Sequence, residues 1–347
     1  MGEIMTTIKH VAEYTGLSIG TISNFVNGKP TRKNNAEKIR AAIEKLDYIP
    51  NLAGKYLRKG KTKTIGILAN KLESHFISRS CVVIEKMLSE HGYNVIFCTS
   101  NDDLELEKEK LTYLASSNVD AIILLPVSYI ETDISSVSHI PTLLISTALE
   151  NKMCNAVVFD DFESSYNATK YLYNCGHERI AILHGKKGNT PTTRIDGYKK
   201  ALVECNLAFN EEYVSYGDFE DYKAEQETKR LFSIENPPTA VLVVSNEMLI
   251  GFLLGLKAKK KQVPEDVSYI TFDYDNYYDL LSYSPTYVKQ SKYNFGVTVY
   301  EILVDMMNNP DCNKEPQIRY VNTSLMIGET VKDLNSKEIK NVTISKF

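Results

Sequence analysis

The fold of the N-terminal region is decided by Thr7-Ile-Lys-His-Val-Ala-Glu-Tyr-Thr-Gly-Leu-Ser-Ile-Gly-Thr-Ile-Ser-Asn-Phe-Val-Asn-Gly28. Apolar residues repeat there at helical spacing on both sides of a glycine: Ile8, Val11 and Ala12, then Ile22, Phe25 and Val26. Gly16 lies between the two sets, and glycine is the residue that a tight turn between helices favours. The pattern predicts a helix-turn-helix, with a merely packed helical hairpin as the alternative.

Charge divides the chain into a basic head and an acidic body. Residues 1–63 carry 12 Lys and Arg against 5 Asp and Glu, whereas the other 284 residues carry 28 against 39, so the net charges are +7 and −11. This distribution is typical of a nucleic-acid-binding head attached to a sensor. With 347 residues, the chain is also expected to form two or three packing units.

Several classes of protein are disfavoured by what the sequence lacks. The six cysteines show no CxxC or Cys/His spacing, so we expect reduced thiols and no metal site. Neither a signal peptide nor an apolar run of ~18 residues occurs, which predicts a cytoplasmic chain that does not bind membranes. Since GxGxxG, GxxxxGK[ST] and GxSxG are also missing, we predict no catalytic residue, no cofactor and no enzyme. The segment His184-Gly-Lys-Lys-Gly188 lacks phosphate-loop spacing and is interpreted as a strand-to-helix loop.

The second helix of a helix-turn-helix enters the major groove of DNA. Here it should begin at Ser18, a favourable N-cap. Short polar side chains suited to phosphate contacts are Ser18, Thr21, Ser23 and Asn27, and the positions left to discriminate bases are Ile19, Gly20 and Asn24. A third helix is predicted from about Lys33 to Leu46. Five Lys or Arg residues between Lys55 and Lys63 then form either a DNA-binding segment or a solvated linker.

The body alternates short β-rich runs with helix-length segments. The predicted strands span residues 64–69, 95–99, 121–125, 142–146, 156–159, 180–184, 240–245 and 267–272. Their near-continuous apolar character indicates parallel sheets covered on both faces. We therefore predict an α/β body of two Rossmann-like lobes, with a ligand cleft at the carboxyl ends of the strands.

Motifs throughout the chain carry a family resemblance. They include Gly16-Leu17-Ser18, Val26-Asn27-Gly28, Tyr48-Ile-Pro-Asn51, Leu57-Arg58, Val119-Asp-Ala-Ile-Ile123, Cys175-Gly-His-Glu-Arg179, Arg194-Ile-Asp-Gly-Tyr198, Ser245-Asn-Glu247 and Phe272-Asp273. Over roughly residues 7–330 the chain resembles the LacI (lactose repressor)/GalR family of bacterial transcription regulators. The resemblance implies a helix-turn-helix domain at 1–50, a hinge helix and linker at 51–63, and a periplasmic-binding-protein-like type I body at 64–330 that binds the effector and dimerises. Residues 331–347 form an additional tail without leucine heptads.

The resemblance also implies roles for individual residues. Further DNA contacts fall on Thr7, Tyr48, Asn51 and Lys55, and Leu57 occupies the position of a minor-groove wedge. The effector-binding positions are His75, Phe76, Arg194, Phe219, Asn246 and Asp273. Asn24, His10 and Tyr274 depart from the residues common in the family, so the operator sequence and the particular sugar are left open.

These observations predict a homodimeric repressor of carbohydrate-related genes. It would bind double-stranded DNA at a pseudo-palindromic operator and leave it when a small-molecule effector, a sugar, binds. The alternative is a regulator whose DNA binding is enhanced by a corepressor, either a phosphoprotein or a purine-like ligand. An exported sugar-binding protein is disfavoured, because it would need a signal peptide and no basic head.

Overall fold

The computed structural model describes residues 6–48, 61–150, 154–185, 191–273, 282–309 and 316–335. The chain divides into two compact units, residues 1–62 and 63–347. The predicted linker, with Asn51, Lys55 and Leu57, therefore lies almost entirely outside the described residues, as do Tyr274 and most of the loop after His184.

The described residues of the first unit form three helices, α1 (Ile8–Thr15), α2 (Ile19–Val26) and α3 (Lys33–Lys45). Its core consists of Val11, Ile22, Ile39, Ala42 and Tyr48, all buried. Gly16 ends α1 with φ +68°, a left-handed conformation that favours glycine, so the predicted turn is confirmed. His10 Nδ1 accepts a hydrogen bond of 3.2 Å from the Thr7 N–H, and thus caps α1.

The second unit contains two α/β lobes. The N-terminal lobe has β1 (Thr64–Ala69), α4 (His75–Glu90), β2 (Asn94–Thr99), α5 (Leu104–Ser116), β3 (Ala121–Leu124), β4 (Thr142–Ile145), β5 (Ala156–Phe159), α10 (Lys292–Asn308) and β11 (Ile318–Val321). The C-terminal lobe has α6 (Asp161–Asn174), β6 (Ile180–His184), α7 (Thr193–Glu204), β7 (Val214–Tyr216), α8 (Asp221–Leu231), β8 (Ala240–Val243), α9 (Asn246–Ala258), β9 (Ser268–Phe272), β10 (Thr286–Gln290) and β12 (Thr323–Met326).

Each lobe is built on a six-stranded sheet. The strand orders are β11-β5-β4-β3-β1-β2 and β12-β10-β9-β8-β6-β7. All described pairings are parallel except that of β12 with β10. The central strands are buried along their whole length, which explains their continuous apolar runs. The predicted two-lobe α/β architecture is confirmed.

All eight predicted strands are present, with ends that shift by at most two residues. The sequence did not predict β7, β10, β11 and β12. These strands are short or lie near sheet edges, and β11 and β12 expose several side chains, so they lack a continuous apolar run. Residues 331–335 pack on the C-terminal lobe, where the Leu334 N–H donates to the Cys175 carbonyl at 2.7 Å.

The chain crosses between the lobes three times, each time through a single residue. Asp160 separates β5 from α6, Ser291 separates β10 from α10, and Asn322 separates β11 from β12. Two crossings are joined by Ser164, whose hydroxyl donates to the Asp160 carbonyl and lies 2.8 Å from Thr323 Oγ1. Short connections of this kind can act as hinges between rigid lobes. Among the described residues, no helix is long and apolar enough to cross a membrane.

Candidate DNA-binding surface and effector cleft

The start of α2 presents an exposed polar surface. Ser18 caps the helix, because its hydroxyl accepts from the Thr21 N–H at 3.2 Å and lies 2.9 Å from Thr21 Oγ1. Ile19 is 45% exposed, although it is a large apolar residue. Gly20 and Asn24 are exposed beside it, and Thr21 and Ser23 are half-buried. The structure thus presents at solvent the side chains that were predicted to read bases.

Other predicted DNA contacts have structural roles within the head. Asn27 Nδ2 donates to the Ser23 carbonyl at 2.6 Å and closes the end of α2. Tyr48 is only 8% exposed and packs in the head core, where burial raises its pKa. It is therefore mainly a core residue, and only its exposed edge is available to DNA. Thr7 is exposed at the start of α1.

A cleft of about 510 Å³ lies between the lobes of the body. It is formed where β1, β3, β4, β6, β8, β9 and β10 reach their carboxyl ends, as expected for open parallel sheets. Its volume is within the usual range for small-molecule sites. Of the six predicted effector-binding residues, five line this cleft: Phe76, Arg194, Phe219, Asn246 and Asp273.

Arg194, in the first turn of α7, is fixed by three contacts. Its guanidinium donates to the Val244 carbonyl at 2.6 Å and to Asp161 Oδ1 at 2.9 Å. The same group lies 4.3 Å from the centre of the Phe272 ring, a cation–π distance. Its Nε is buried and has no partner among the described residues. Arg194 is therefore oriented in advance and keeps one donor unused.

The remaining polar positions are also held by the fold. Asp273 follows β9 with φ +68° and forms an ion pair with Lys292 of α10, which connects the two lobes. Asn246 begins α9 after the N-cap Ser245, whose hydroxyl accepts from the Met248 N–H at 3.2 Å. Phe76 packs edge-on against Phe159, with ring centres 5.7 Å apart. These residues place a carboxylate, an amide and an aromatic face around the cleft.

The placement of His75 differs from the prediction. Its side chain is exposed and is not part of the cleft lining, while its N–H donates to Glu247 Oε1 at 3.0 Å. The neighbouring Phe76 lines the cleft instead, because His75 is the first residue of α4 and the two side chains point in different directions. Phe219 lines the cleft with φ +60° and is 38% exposed, so it is not a core residue.

Sequence reasoning missed most of the acidic lining. Among the residues that the structure describes, eight carboxylates border the cleft: Glu73, Asp102, Asp161, Asp218, Glu220, Asp221, Glu247 and Asp273. Two cations, Lys71 and Arg194, also line it, and Lys223 and Lys292 form ion pairs with lining carboxylates. Carboxylates therefore outnumber these cations by eight to four. In the sequence, only the position of these carboxylates shortly after predicted strands could have indicated that they line the cleft.

His184 is another lining residue that the effector prediction omitted. It ends β6 and is 1% exposed. Burial lowers its pKa to about 3, and the neighbouring Arg194 charge acts in the same direction. The Pro191 carbonyl opposes the shift in part, although neither ring nitrogen makes a hydrogen bond of regular geometry to a described residue. His184 is therefore neutral at physiological pH.

We expect His184 to make the free energy of unfolding depend on pH. An unfolded histidine titrates near 6.5, above the folded pKa of about 3, so the unfolded state binds more protons between these values. The stability due to neutral His184 is complete above pH 6.5 and is lost as the pH falls toward 3. The expected slope is up to about 1.4 kcal/mol per pH unit. Urea unfolding measures this effect. Between pH 7 and pH 5, the free energy of unfolding should fall by up to about 2 kcal/mol less in His184→Gln than in the parent. An equal fall in the free energy of unfolding in both proteins would contradict the neutral state assigned to His184.

The fold and the two surfaces define a DNA-binding regulator with a separate small-molecule site, and comparisons with known proteins agree. Residues 7–51 match the model of bacterial regulatory proteins of the lacI family, and residues 169–331 match a periplasmic binding protein-like domain. The HTH-type transcriptional repressor PurR of Haemophilus influenzae (strain PittEE) is 30% identical over 337 residues, which cover 95% of this chain and 100% of the relative.

Two solved structures resemble the chain over nearly its full length. One is a complex of the transcriptional regulator CelR with cellobiose, with 25% identity, a TM-score of 0.70, and coverage of 94% of this chain and 99% of the other. The other is the Lac repressor dimer bound to operator and the anti-inducer ONPF, with 22% identity, a TM-score of 0.84, and coverage of 95% and 100%. At this lower identity the second likeness shows the fold alone. The chain belongs to the LacI family, and is a DNA-binding transcriptional repressor with an effector-binding domain.

Proposed function

We propose that this repressor acts as a cytoplasmic homodimer that leaves a pseudo-palindromic operator when a neutral sugar binds the cleft of each subunit. One observation carries the choice of effector. Among the described residues, the cleft lining contains five buried polar atoms without hydrogen-bond partners: Asn70 Oδ1, Ser146 Oγ, His184 Nδ1, His184 Nε2 and Arg194 Nε. Buried polar atoms are normally paired, so this concentration favours a ligand with many hydroxyl groups.

The unpaired atoms lie on both lobes. Asn70 follows β1 and Ser146 follows β4 in the N-terminal lobe, whereas His184 and Arg194 belong to the C-terminal lobe. A polyol that pairs with both sets would favour one relative position of the lobes. Because each crossing is a single residue, closure around a ligand requires changes at few positions. Ligand binding and lobe position are thereby coupled.

The charge of the cleft disfavours an anionic effector. A phosphorylated sugar or nucleotide would enter a cleft in which carboxylates are in excess among the described lining residues, and its repulsion would be strengthened by partial burial. A neutral sugar avoids this cost, and its hydroxyls can both donate to carboxylates and accept from Arg194. The cellobiose complex of CelR supports a sugar, and the dimer of the Lac repressor supports a homodimer.

The alternative is a corepressor that strengthens DNA binding, either a phosphoprotein or a purine-like ligand. A neutral nucleobase would also avoid the acidic repulsion and could stack on Phe219 or Phe76. It would present fewer hydroxyl groups to the unpaired atoms of the two lobes. We therefore place the sugar first and test both.

A thermal-shift panel tests the proposal. D-glucose, D-galactose, D-ribose, maltose and cellobiose are compared with their available phosphates and with hypoxanthine and guanine. A ligand that binds only the folded state raises the melting temperature of the body. We expect a neutral sugar to raise it and its phosphate to raise it less. A shift with nucleobases alone, or with phosphates above all, would contradict the proposal.

A further inference from the structure

His184 occupies a position at which a buried ring faces the effector cleft. It is the last residue of β6, paired in register with Tyr216 of β7, and its ring centre lies 6.3 Å from that of Tyr216. Its backbone carbonyl accepts from the Gly217 N–H at 2.8 Å. The backbone is thus fixed on both sides, and the 1% exposed ring lines the same cleft as Arg194.

Neither ring nitrogen of His184 has a hydrogen-bond partner among the described residues. Elsewhere in the C-terminal lobe, the buried His177 is paired at both nitrogens, with Thr239 Oγ1 at 3.0 Å and with the Lys332 carbonyl at 3.1 Å. The contrast is informative because both rings are 2% exposed or less. His177 has a complete structural role, whereas the ring of His184, which lines the cleft, has a donor and an acceptor that the described residues leave unpaired.

The ring is neutral because it is buried beside the Arg194 guanidinium. A neutral imidazole has one N–H donor and one acceptor nitrogen, and a sugar hydroxyl also donates once and accepts. A hydroxyl can pair with either ring nitrogen, whereas a carboxylate or a phosphate can only accept and can pair only with the nitrogen that carries the proton. The chemistry of His184 therefore matches a hydroxyl group.

We propose that His184 contacts the effector directly and determines specificity by hydrogen-bonding one sugar hydroxyl in the part of the cleft next to Arg194. This inference rests on the proposed sugar site and adds a residue to it. Loss of the hydroxyl would leave a buried imidazole unpaired. Sites that hydrogen-bond a ligand group discriminate strongly against analogues that lack it.

The test uses the neutral sugar of the panel that raises the melting temperature most, together with its monodeoxy derivatives. Titration calorimetry measures their affinity for the full-length parent and for His184→Phe, which keeps an aromatic ring but removes both nitrogens. We expect His184→Phe to weaken binding of the intact sugar by about 10- to 100-fold. One monodeoxy derivative should bind the parent more weakly by a similar factor, and should show little further loss with the variant.

His177→Phe is the matched control, because it removes a buried histidine of the same lobe outside the cleft. If His184→Phe does not fold, His184→Leu, which also removes both ring nitrogens, takes its place and should weaken binding by the same factor. Undiminished affinity in the folded His184 variant, or equal further losses for every deoxy derivative, would overturn the inference while the sugar site stands. If no neutral sugar binds the parent, the proposed function and this inference both fail.

Discussion

Arg194→Ala should raise the dissociation constant of the effector by about 10- to 150-fold, equivalent to the loss of one charge-assisted hydrogen bond. The guanidinium is held by the Val244 carbonyl, Asp161 and the Phe272 ring, so it needs no reorganisation to use its free Nε. Replacement by alanine also leaves Asp161, whose side chain is 23% exposed, without its cation. That uncompensated carboxylate would further oppose the closed cleft.

Two variants separate the role of Arg194 in binding from general damage. Arg194→Lys retains the charge but not the planar donor set, and should recover only part of the affinity. Arg179→Ala removes an exposed arginine of the same lobe whose Nε donates to the Pro237 carbonyl, and should leave effector affinity unchanged. DNA affinity without effector should match the parent in every case. Calorimetry measures effector affinity, and DNA titration measures DNA affinity. If folded Arg194→Ala binds the effector as tightly as the parent does, Arg194 does not belong to the site.

The second large effect is expected at the DNA-binding surface. Gly20→Glu should reduce DNA affinity at least about 30-fold, because the proposed dimer carries the change twice and each head loses roughly 1 to 3 kcal/mol. The side chain is accommodated easily, since a Cβ at Gly20 would meet only Ser18 Oγ, at 3.8 Å. The new carboxylate would face base edges and phosphates in the major groove.

Gly20→Ala is the control, since it adds the Cβ without the charge. It should bind within a few-fold of the parent and slightly stabilise α2. Fluorescence anisotropy measures the DNA affinity of both variants. The DNA is a duplex that the parent selects from a random-sequence pool. Retained affinity in Gly20→Glu would show that the exposed start of α2 does not enter the groove.

The sequence predicted the fold best where burial is continuous. The spacing around Gly16 and the apolar runs of the central strands have simple periodic signals, and the structure has these elements at the expected positions. The edge strands β11 and β12 have no such signal, because their exposed faces carry mixed side chains and their pairing depends on distant residues. Local pattern cannot specify such partners, which lie more than a hundred residues away for β11 and more than thirty for β12.

The candidate site residues also include some that the sequence predicted and some that it did not. The family resemblance located Arg194, Asn246 and Asp273 at the cleft, whereas His75 and Phe76 could not be distinguished before the first turn of α4 was seen. His184 was considered only as the end of a strand and the start of a loop. Its significance depends on burial and missing partners, and these are properties of the folded chain alone. Tyr48 is the opposite case. The resemblance predicted a DNA contact, but most of the Tyr48 ring is packed in the core of the head.

The central claim is that the cleft and the DNA-binding head are energetically coupled. The most direct measurement titrates the selected duplex with full-length protein in the absence and in saturating presence of the sugar found in the panel. The account predicts that the sugar weakens DNA binding, and that DNA weakens sugar binding by the same factor, about 5- to 150-fold. A sugar that binds the cleft and leaves DNA affinity unchanged, or strengthens it, would contradict the account.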